Sequence, residues 1–219
     1  MKNKNIVLTH QRKPGFFGGC LFPMKMKFRR KPFSVYLKWI EPHKNREAIY
    51  VEGKNNGRIV AHEPLGLLNV LRKTYPRSTE ARAQSRQTIT NAGLENMVTT
   101  MIAVTELANT RGELVMKRLG EGTFDKQPVD IILRIISPER EDYPFHMFLV
   151  YIDKQRKIPL KIVGYGWNND LLARYAYTDV KLNVGLTEED FNIRNPEYDY
   201  PGILPFRGLK LTGNPAKRE

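Results

Sequence analysis

Two neighbouring segments of the chain alternate between apolar and polar residues with a period of two, and this pattern constrains the fold more than any other feature. Within Met24–Arg30 the two methionines and the phenylalanine fall on one side, and Lys25, Lys27 and Arg29 fall on the other. Pro32 interrupts the pattern, and Phe33–Trp39 resumes it. Because successive side chains of a strand point to opposite faces, each segment predicts a strand with one buried and one solvated face.

Short links connect these two segments to further strands. Asn5–His10 predicts a strand before them, and Ala48–Glu52 and Arg58–His62 predict two strands after them. The link Lys54–Gly57 contains Asn-Gly, a strong hairpin signal because both residues tolerate positive φ. Parallel strands would need helical crossovers, which this part of the sequence lacks. The first third of the chain is therefore predicted to form an antiparallel meander.

The middle of the chain changes in character. Leu65–Leu71 is a short apolar stretch compatible with a helix, and the polar, basic stretch Lys73–Thr88 predicts an exposed loop. A long helix is predicted from Thr90 or Asn91 to Gly112. Its apolar stripe consists of Leu94, Met97, Val98, Met101, Ile102 and Leu107. A stripe rich in methionine is most often core, and the alternative is the adaptable wall of a ligand cavity.

The second half of the chain predicts strands again. They are Leu114–Leu119, Val129–Ile136, Phe145–Ile152, Pro159–Trp167 and Leu172–Leu182. The second and third of these are apolar on both faces, which predicts that both faces are covered. Thr187–Phe191 predicts a capped helical turn, and an irregular tail follows. We therefore predict one α+β, mainly β domain over residues 1–219, in which one long amphipathic helix packs on an antiparallel sheet.

The charge of the chain is strongly positive. Lys and Arg number 36 against 23 Asp and Glu, a net charge of +13, which suggests an acidic partner such as nucleic acid, anionic lipid or a polyanionic wall. The alternative is a solvated basic surface. Aromatic and basic residues interleave in Phe28–Trp39, as in proteins that bind single strands. However, the alternation places the aromatic residues of this segment on a buried face, and a nucleic-acid partner is therefore not predicted.

Motifs that carry chemistry are missing from the sequence. The four histidines lack the spacing of metal ligands, and the single cysteine, Cys20, excludes an internal disulfide. Neither a nucleophile elbow nor a phosphate-binding glycine loop occurs. The acidic residues of 139–142 lie in a loop predicted to keep them solvated, which is poor for acid–base catalysis. We predict no catalytic residue, no metal and no cofactor, and therefore not an enzyme. No run approaches the about 18 apolar residues of a transmembrane segment.

Several stretches together resemble the family of bacterial envelope proteins known as domain of unknown function 1571. The resemblance covers about residues 20–200. The stretches that carry it are Met26–Arg30, Pro32–Trp39, Tyr50–Gly57, Tyr175–Tyr177, Asp179–Thr187, Asp190–Phe191 and Asn195–Tyr198. The family is similar to the lipoprotein-carrier group of LolA and LppX. The resemblance implies a strongly curved sheet, an incomplete barrel whose concave face is covered by helices and holds acyl chains, and a location in the periplasm or envelope.

The resemblance carries over no catalytic or ligand-binding residues. Members of the family generally begin with a signal peptide and a helix ahead of the first strand, whereas Met1 lies almost at the first predicted strand. Three expectations are left open: the start is wrongly placed, the chain is trimmed, or the protein itself lacks its first helix. Residues 201–219 are expected to form an irregular tail.

These observations lead to the hypothesis of a non-enzymatic protein that binds a lipid or lipoprotein acyl group between sheet and helix. Burial of an acyl chain contributes about 0.8 kcal/mol per methylene, so a polar anchor is not required. Basic residues such as Lys25, Lys27 and Arg29 would attract anionic head groups of a membrane surface. The predicted wall residues of the groove are Met26, Phe28, Val35, Leu37, Trp39, Met97, Met101 and Ile102.

Two alternatives remain open. The predicted wall residues can instead pack on one another in a closed core. The protein can also be a structural or interaction module that uses its basic surface to bind an anionic envelope polymer or a protein partner.

Overall fold

The computed structural model describes residues 6–10, 23–41, 43–65, 68–79 and 88–201. In the first part of the chain the strands are β1 (Ile6–His10), β2 (Met24–Arg29), β3 (Ser34–Trp39), β4 (Glu47–Val51), β5 (Ile59–Leu65) and β6 (Leu68–Thr74). The helix α1 follows (Leu94–Thr110). The second part contains β7 (Leu114–Phe124), β8 (Gln127–Ile136), β9 (Met147–Asp153), β10 (Pro159–Tyr165) and β11 (Leu171–Leu182).

All of these strands form one antiparallel sheet. Its order is β6-β5-β4-β3-β2-β1-β11-β10-β9-β8-β7, so β1 joins a half built from β2–β6 to a half built from β7–β11. Within the described residues, β6 and β7 are the two edges of the sheet. The prediction of a mainly β, antiparallel fold with one long helix is therefore confirmed. The pairing of β1 with the last strand closes the largest loop of the fold.

The Asn-Gly link forms the predicted hairpin between β4 and β5. Asn55, Asn56 and Gly57 all have positive φ, at 53°, 54° and 71°, and form a 3-10 turn. On either side of the turn, Ile49 pairs with Val60 in the ladder. The hairpin prediction is confirmed because these residue types adopt the required backbone without steric cost.

Strand register divides the sheet into two surfaces. Met26 is paired with Leu37, and Phe28 with Val35, so all four side chains share one face. These residues contact α1 in a common apolar cluster, and we call their surface the helix face. The opposite surface, which carries Tyr36 among others, we call the outer face.

The helix α1 begins three or four residues after its predicted start, because Ile89–Asn91 forms a separate 3-10 turn. Its buried side carries Met97, Met101, Val104 and Ala108, spaced at three and four residues. The predicted stripe is wrong at Ile102, which is 50% exposed. A residue that directly follows a buried helical position is turned by about 100° from it, away from the sheet.

The described part of the apolar stretch Leu65–Leu71 is strand and not helix. Leu65 ends β5 and Leu68–Leu71 begins β6, and these two strands pair antiparallel. A short apolar run has no period long enough to distinguish a strand from a helix, and pairing with a neighbour decides between them. For the same reason β7 runs on to Phe124, five residues beyond its predicted end, because β8 pairs with it throughout.

Residues 186–200 cross the outer face, and we call them the strap. The strap begins with a turn in which the Asp190 carboxylate accepts a hydrogen bond of 2.8 Å from the Thr187 amide. Its apolar side chains Phe191, Tyr198 and Tyr200 cover Tyr36 and other residues of β3–β5. A covered outer face contradicts the prediction of a solvated basic surface on β2.

The strap neutralises two of the three basic residues of β2. Lys27 Nζ lies 2.8 Å from Asp190 Oδ1, and Arg29 Nη2 lies 2.6 Å from Glu188 Oε1. Arg29 is only 6% exposed, so its predicted role in attracting head groups from the outside is wrong. Lys25 remains exposed as predicted. The acidic residues of the strap lie more than 150 positions away, which is why alternation alone placed Arg29 in solvent.

Candidate functional site

A cavity of about 790 Å³ lies between the helix face and α1. Strands of both halves of the sheet contribute to it: β2–β6 on one side, β9–β11 on the other. Residues 88–93 and the first half of α1 complete its walls. Its volume falls within the range of pockets that hold small ligands. The space between sheet and helix is thus open, where a closed core would have filled it.

Five of the eight predicted wall residues line the cavity: Met26, Leu37, Trp39, Met97 and Met101. The other three do not. Phe28 and Val35 are 3% and 0% exposed in the core that adjoins the cavity, and Ile102 lies on the exposed side of α1. Contact of any of these residues with a ligand stays a prediction.

The cavity is apolar at the end next to β9 and β10. Phe145 and Phe148 meet there with ring centroids 5.1 Å apart, and Met97 and Met101 of α1 pack on them. The Phe145 ring lies so close to Gly164 that a Cβ atom there would come within 2.6 Å of it. Sequence reasoning missed this end of the cavity. A glycine inside a predicted strand is the one signal of such a close approach.

Tyr177 links the sheet to the helix beside this apolar end. Its hydroxyl donates a hydrogen bond of 3.5 Å to the Met97 sulfur, and burial raises the pKa of the phenol above its ordinary value. The neutral hydroxyl therefore holds a cavity-lining side chain of α1 in place.

The opposite end of the cavity, next to β4–β6, is polar. Arg46 forms an ion pair with Glu63, and its guanidinium lies 5.9 Å from the ring centroid of Trp39. Arg72 is paired in the ladder with Ala61, and both residues line the cavity. The hydroxyls of Thr88 and Thr90 lie 2.8 Å apart at the same end. The cavity is therefore amphipathic along its length.

The ring of His62 belongs to the outer face. His62 is opposite Glu47 in the ladder, and its ring lies 5.7 Å from that of Tyr200 in the strap.

Among the described lining residues, Glu63 is the only carboxylate, and it forms an ion pair with Arg46. No group of three or more His, Cys, Asp or Glu side chains stands in metal-binding arrangement anywhere in the described ranges. The lining offers apolar contact over most of its surface and cationic charge at one end.

Within the parts of the chain that the structure describes, no helix combines the length and the apolarity that crossing a bilayer demands.

Comparisons with known proteins support a family assignment and a fold. The family described as protein of unknown function, DUF1571, matches residues 21–200. The structure of MucB is similar, with a TM-score of 0.53 and 12% identity over 86% of this chain and 57% of MucB. The complex of Pseudomonas aeruginosa MucA and MucB gives a TM-score of 0.50 at 12% identity, over 86% and 55% of the chains.

The lipoprotein LppX of Mycobacterium tuberculosis is similar at a TM-score of 0.44 and 10% identity, over 85% of this chain and 89% of LppX. No curated protein matches the chain. At these identities the likeness to MucB concerns the fold alone, and this chain spans a little more than half of MucB.

Proposed function

The chain belongs to the DUF1571 family, and on that premise we propose that it is a non-enzymatic envelope protein that binds a lipid or lipoprotein acyl group. The binding site is the cavity between the helix face and α1. The observation that carries this proposal is the cavity of about 790 Å³ whose walls are mostly apolar. Glu63 is the only carboxylate among the described lining residues, and it forms an ion pair with Arg46. The described lining therefore has no two carboxyl groups that could act as a catalytic acid and base.

An acyl chain suits the apolar part of the cavity energetically. Each buried methylene contributes about 0.8 kcal/mol, so about ten of them supply about 8 kcal/mol, which corresponds to micromolar affinity. Met26, Met97 and Met101 form an adaptable wall because methionine side chains are unbranched and change rotamer easily. Such a wall accommodates chains of different length and saturation.

The proposed architecture is an open half-barrel with α1 as its lid. Both halves of the sheet line the cavity, and the edges β6 and β7 are at opposite ends of the strand order. A sheet that curves around α1 brings β4–β6 and β9–β10 to the two ends of one cavity. The location that goes with this role is the periplasm or envelope.

A second candidate is the binding of a protein partner. MucB, whose fold is similar, has been solved in complex with MucA. The edge strand β7 exposes Val115, Met116 and Leu119 to at least half of their surface, and such a patch favours protein contact. An anionic envelope polymer or membrane surface is a further partner for the basic residues that stay exposed, such as Lys25.

Native mass spectrometry after gentle purification, combined with titration of fluorescent cis-parinaric acid, tests the leading proposal. We expect bound or displaceable lipid in the wild-type protein. Ala61→Trp places a large ring in the cavity and is expected to abolish uptake. Ala103→Trp, on the exposed side of α1, makes the same chemical change and is expected to leave uptake intact.

The proposal is wrong if neither bound lipid nor saturable uptake is found, or if both tryptophan variants behave alike while folded by circular dichroism. Steep salt dependence of partner binding, without any lipid uptake, would instead favour the interaction module.

A further inference from the structure

We infer that the ligand of this cavity is an amphiphile with a negatively charged oxygen head group, and that Arg72 on β6 binds that group. The inference rests on the proposed function, because it names the chemistry of the molecule that the cavity holds. The negatively charged group is a carboxylate or a phosphate, the two oxyanions that an arginine fork recognises.

The first argument is the polarity of the cavity along its length. The aromatic and methionine cluster lies against β9 and β10. The charged residues lie directly before β4 and on β5 and β6, at the other side of the strand order. A molecule that fills the cavity therefore meets an apolar wall with one part and a polar wall with another. A simple hydrocarbon would leave the polar wall without a partner, at a cost in desolvation.

The second argument is the balance of charge at the polar end. Arg46 and Glu63 form an ion pair and cancel one another. Arg72 is exposed and makes no ion pair with any residue in the described ranges. Counted over the described residues, the lining at this end thus has a net charge of +1 carried by Arg72, which attracts an anion and repels a cation.

The third argument is the direction in which Arg72 points. It is paired with Ala61, whereas the next residue, Lys73, is paired with Val60 on the outer face. Neighbouring side chains of a strand point to opposite faces. The side chain of Arg72 therefore lines the cavity and that of Lys73 does not, although the two residues are adjacent and carry the same charge. This pair supplies a matched control.

The test compares cis-parinaric acid with its methyl ester, which has the same fluorescent chain but no charge. Titrations are run well above the pKa of a carboxyl group. We expect the wild-type protein to bind the acid about five-fold more tightly than the ester, as one exposed ion pair contributes. Arg72→Gln is expected to remove this preference by weakening the acid alone, and Lys73→Gln is expected to retain it.

Competition experiments distinguish the two sources of the oxyanion. Lysophosphatidylglycerol and lysophosphatidylcholine of equal chain length are used to displace the fluorescent acid. If lysophosphatidylglycerol, which has a net negative charge, displaces the acid more strongly than lysophosphatidylcholine does, the site also binds phosphate head groups. Equal displacement by both, with the acid still preferred over its ester, restricts the site to carboxylates of free fatty acids.

Two results would overturn the inference. One is equal affinity of the wild-type protein for acid and ester, and the other is an acid preference that survives Arg72→Gln. Both differ from failure of the proposed function, in which neither the acid nor the ester binds. Because Arg72 is exposed, its replacement leaves the core intact, and circular dichroism checks this.

Discussion

The hydroxyl of Tyr36 donates a hydrogen bond of 2.8 Å to the carboxylate of Glu47, which is 0% exposed. The same carboxylate lies 3.0 Å from Lys38 Nζ and accepts a hydrogen bond of 2.9 Å from the Asp199 amide in the strap. The Tyr36 ring also stacks on Tyr198, with centroids 4.1 Å apart. Burial and then the neighbouring Glu47 raise the pKa of Tyr36, so its hydroxyl remains a donor. One buried carboxylate thus connects the sheet to a segment about 150 residues later.

Tyr36→Phe is expected to lower the free energy of unfolding by about 1 kcal/mol, because it removes one of the three donors to a buried carboxylate. Urea denaturation measures the loss. Tyr50→Phe is the control. Tyr50 follows Ile49, the ladder partner of Tyr36, and lies on the helix face. Its hydroxyl has no hydrogen bond within the described residues. Equal stability of the two variants would show that the strap does not depend on the Tyr36 hydroxyl.

Glu113 is expected to make the protein sensitive to acid. Its Oε1 accepts a hydrogen bond of 2.9 Å from Arg140 Nε, and its Oε2 accepts one of 2.6 Å from the Tyr143 hydroxyl. These partners, Arg140 first, lower the pKa of Glu113 from 4.5 to about 2. A carboxyl whose pKa is lower in the folded state stabilises the fold above its unfolded pKa. This contribution is lost as the pH falls from about 4.5 to about 2.

Glu113→Gln should therefore flatten the dependence of the urea midpoint on pH over this interval. Glu139→Gln removes an equal charge from the loop after β8, where Glu139 has no ion pair among the described residues. A Glu113→Gln curve parallel to that of the wild type would contradict the assignment.

Arg134 is a buried cation without a carboxylate partner in the described residues. The residue is 5% exposed, and its side chain donates a hydrogen bond of 2.9 Å to Thr105 Oγ1. The guanidinium lies 4.9 Å from the centroid of the Phe148 ring, and burial lowers the pKa of Arg134 to about 10. We expect Arg134→Met to raise the free energy of unfolding by about 1 kcal/mol, because it removes the desolvation cost and keeps the volume. Arg134→Ala should lower it by about 2 kcal/mol through the void it leaves. A large loss in the methionine variant, measured in urea, would mean that the hydrogen bonds to α1 outweigh desolvation.

Gly93, at the start of α1, is expected to tolerate no side chain. Its φ of +105° is open to glycine alone, and a Cβ atom there would come within 2.8 Å of the Phe28 ring. Gly93→Ala should cost about 3 kcal/mol from backbone strain and collision together. Gly112→Ala should cost only about 1 kcal/mol, because φ is also positive but nothing lies within 4 Å. Thermal or urea unfolding compares the stability of the two variants. Equal losses of stability would show that the Phe28 ring moves aside at no cost.

Local patterns of the sequence were sufficient to predict β1–β5 and their antiparallel arrangement, although they did not predict β6. The alternation in Met24–Arg30, and the Asn-Gly turn before β5, act over a few residues, and the backbone geometry they require is the same in any fold. Five of the eight predicted wall residues line the cavity for the same reason, since alternation and helical spacing tell which side chains share a face.

What the tertiary structure alone decided is where distant segments meet. The strap buries Arg29 against Glu188, and the loop before β9 brings Phe145 to the apolar end of the cavity. These contacts join residues far apart in the chain, and no local period encodes them. Whether Met97 and Met101 form a closed core or the wall of a cavity depends on the separation of α1 from the sheet. That separation is set by the packing of Phe28, Leu94 and their neighbours all at once.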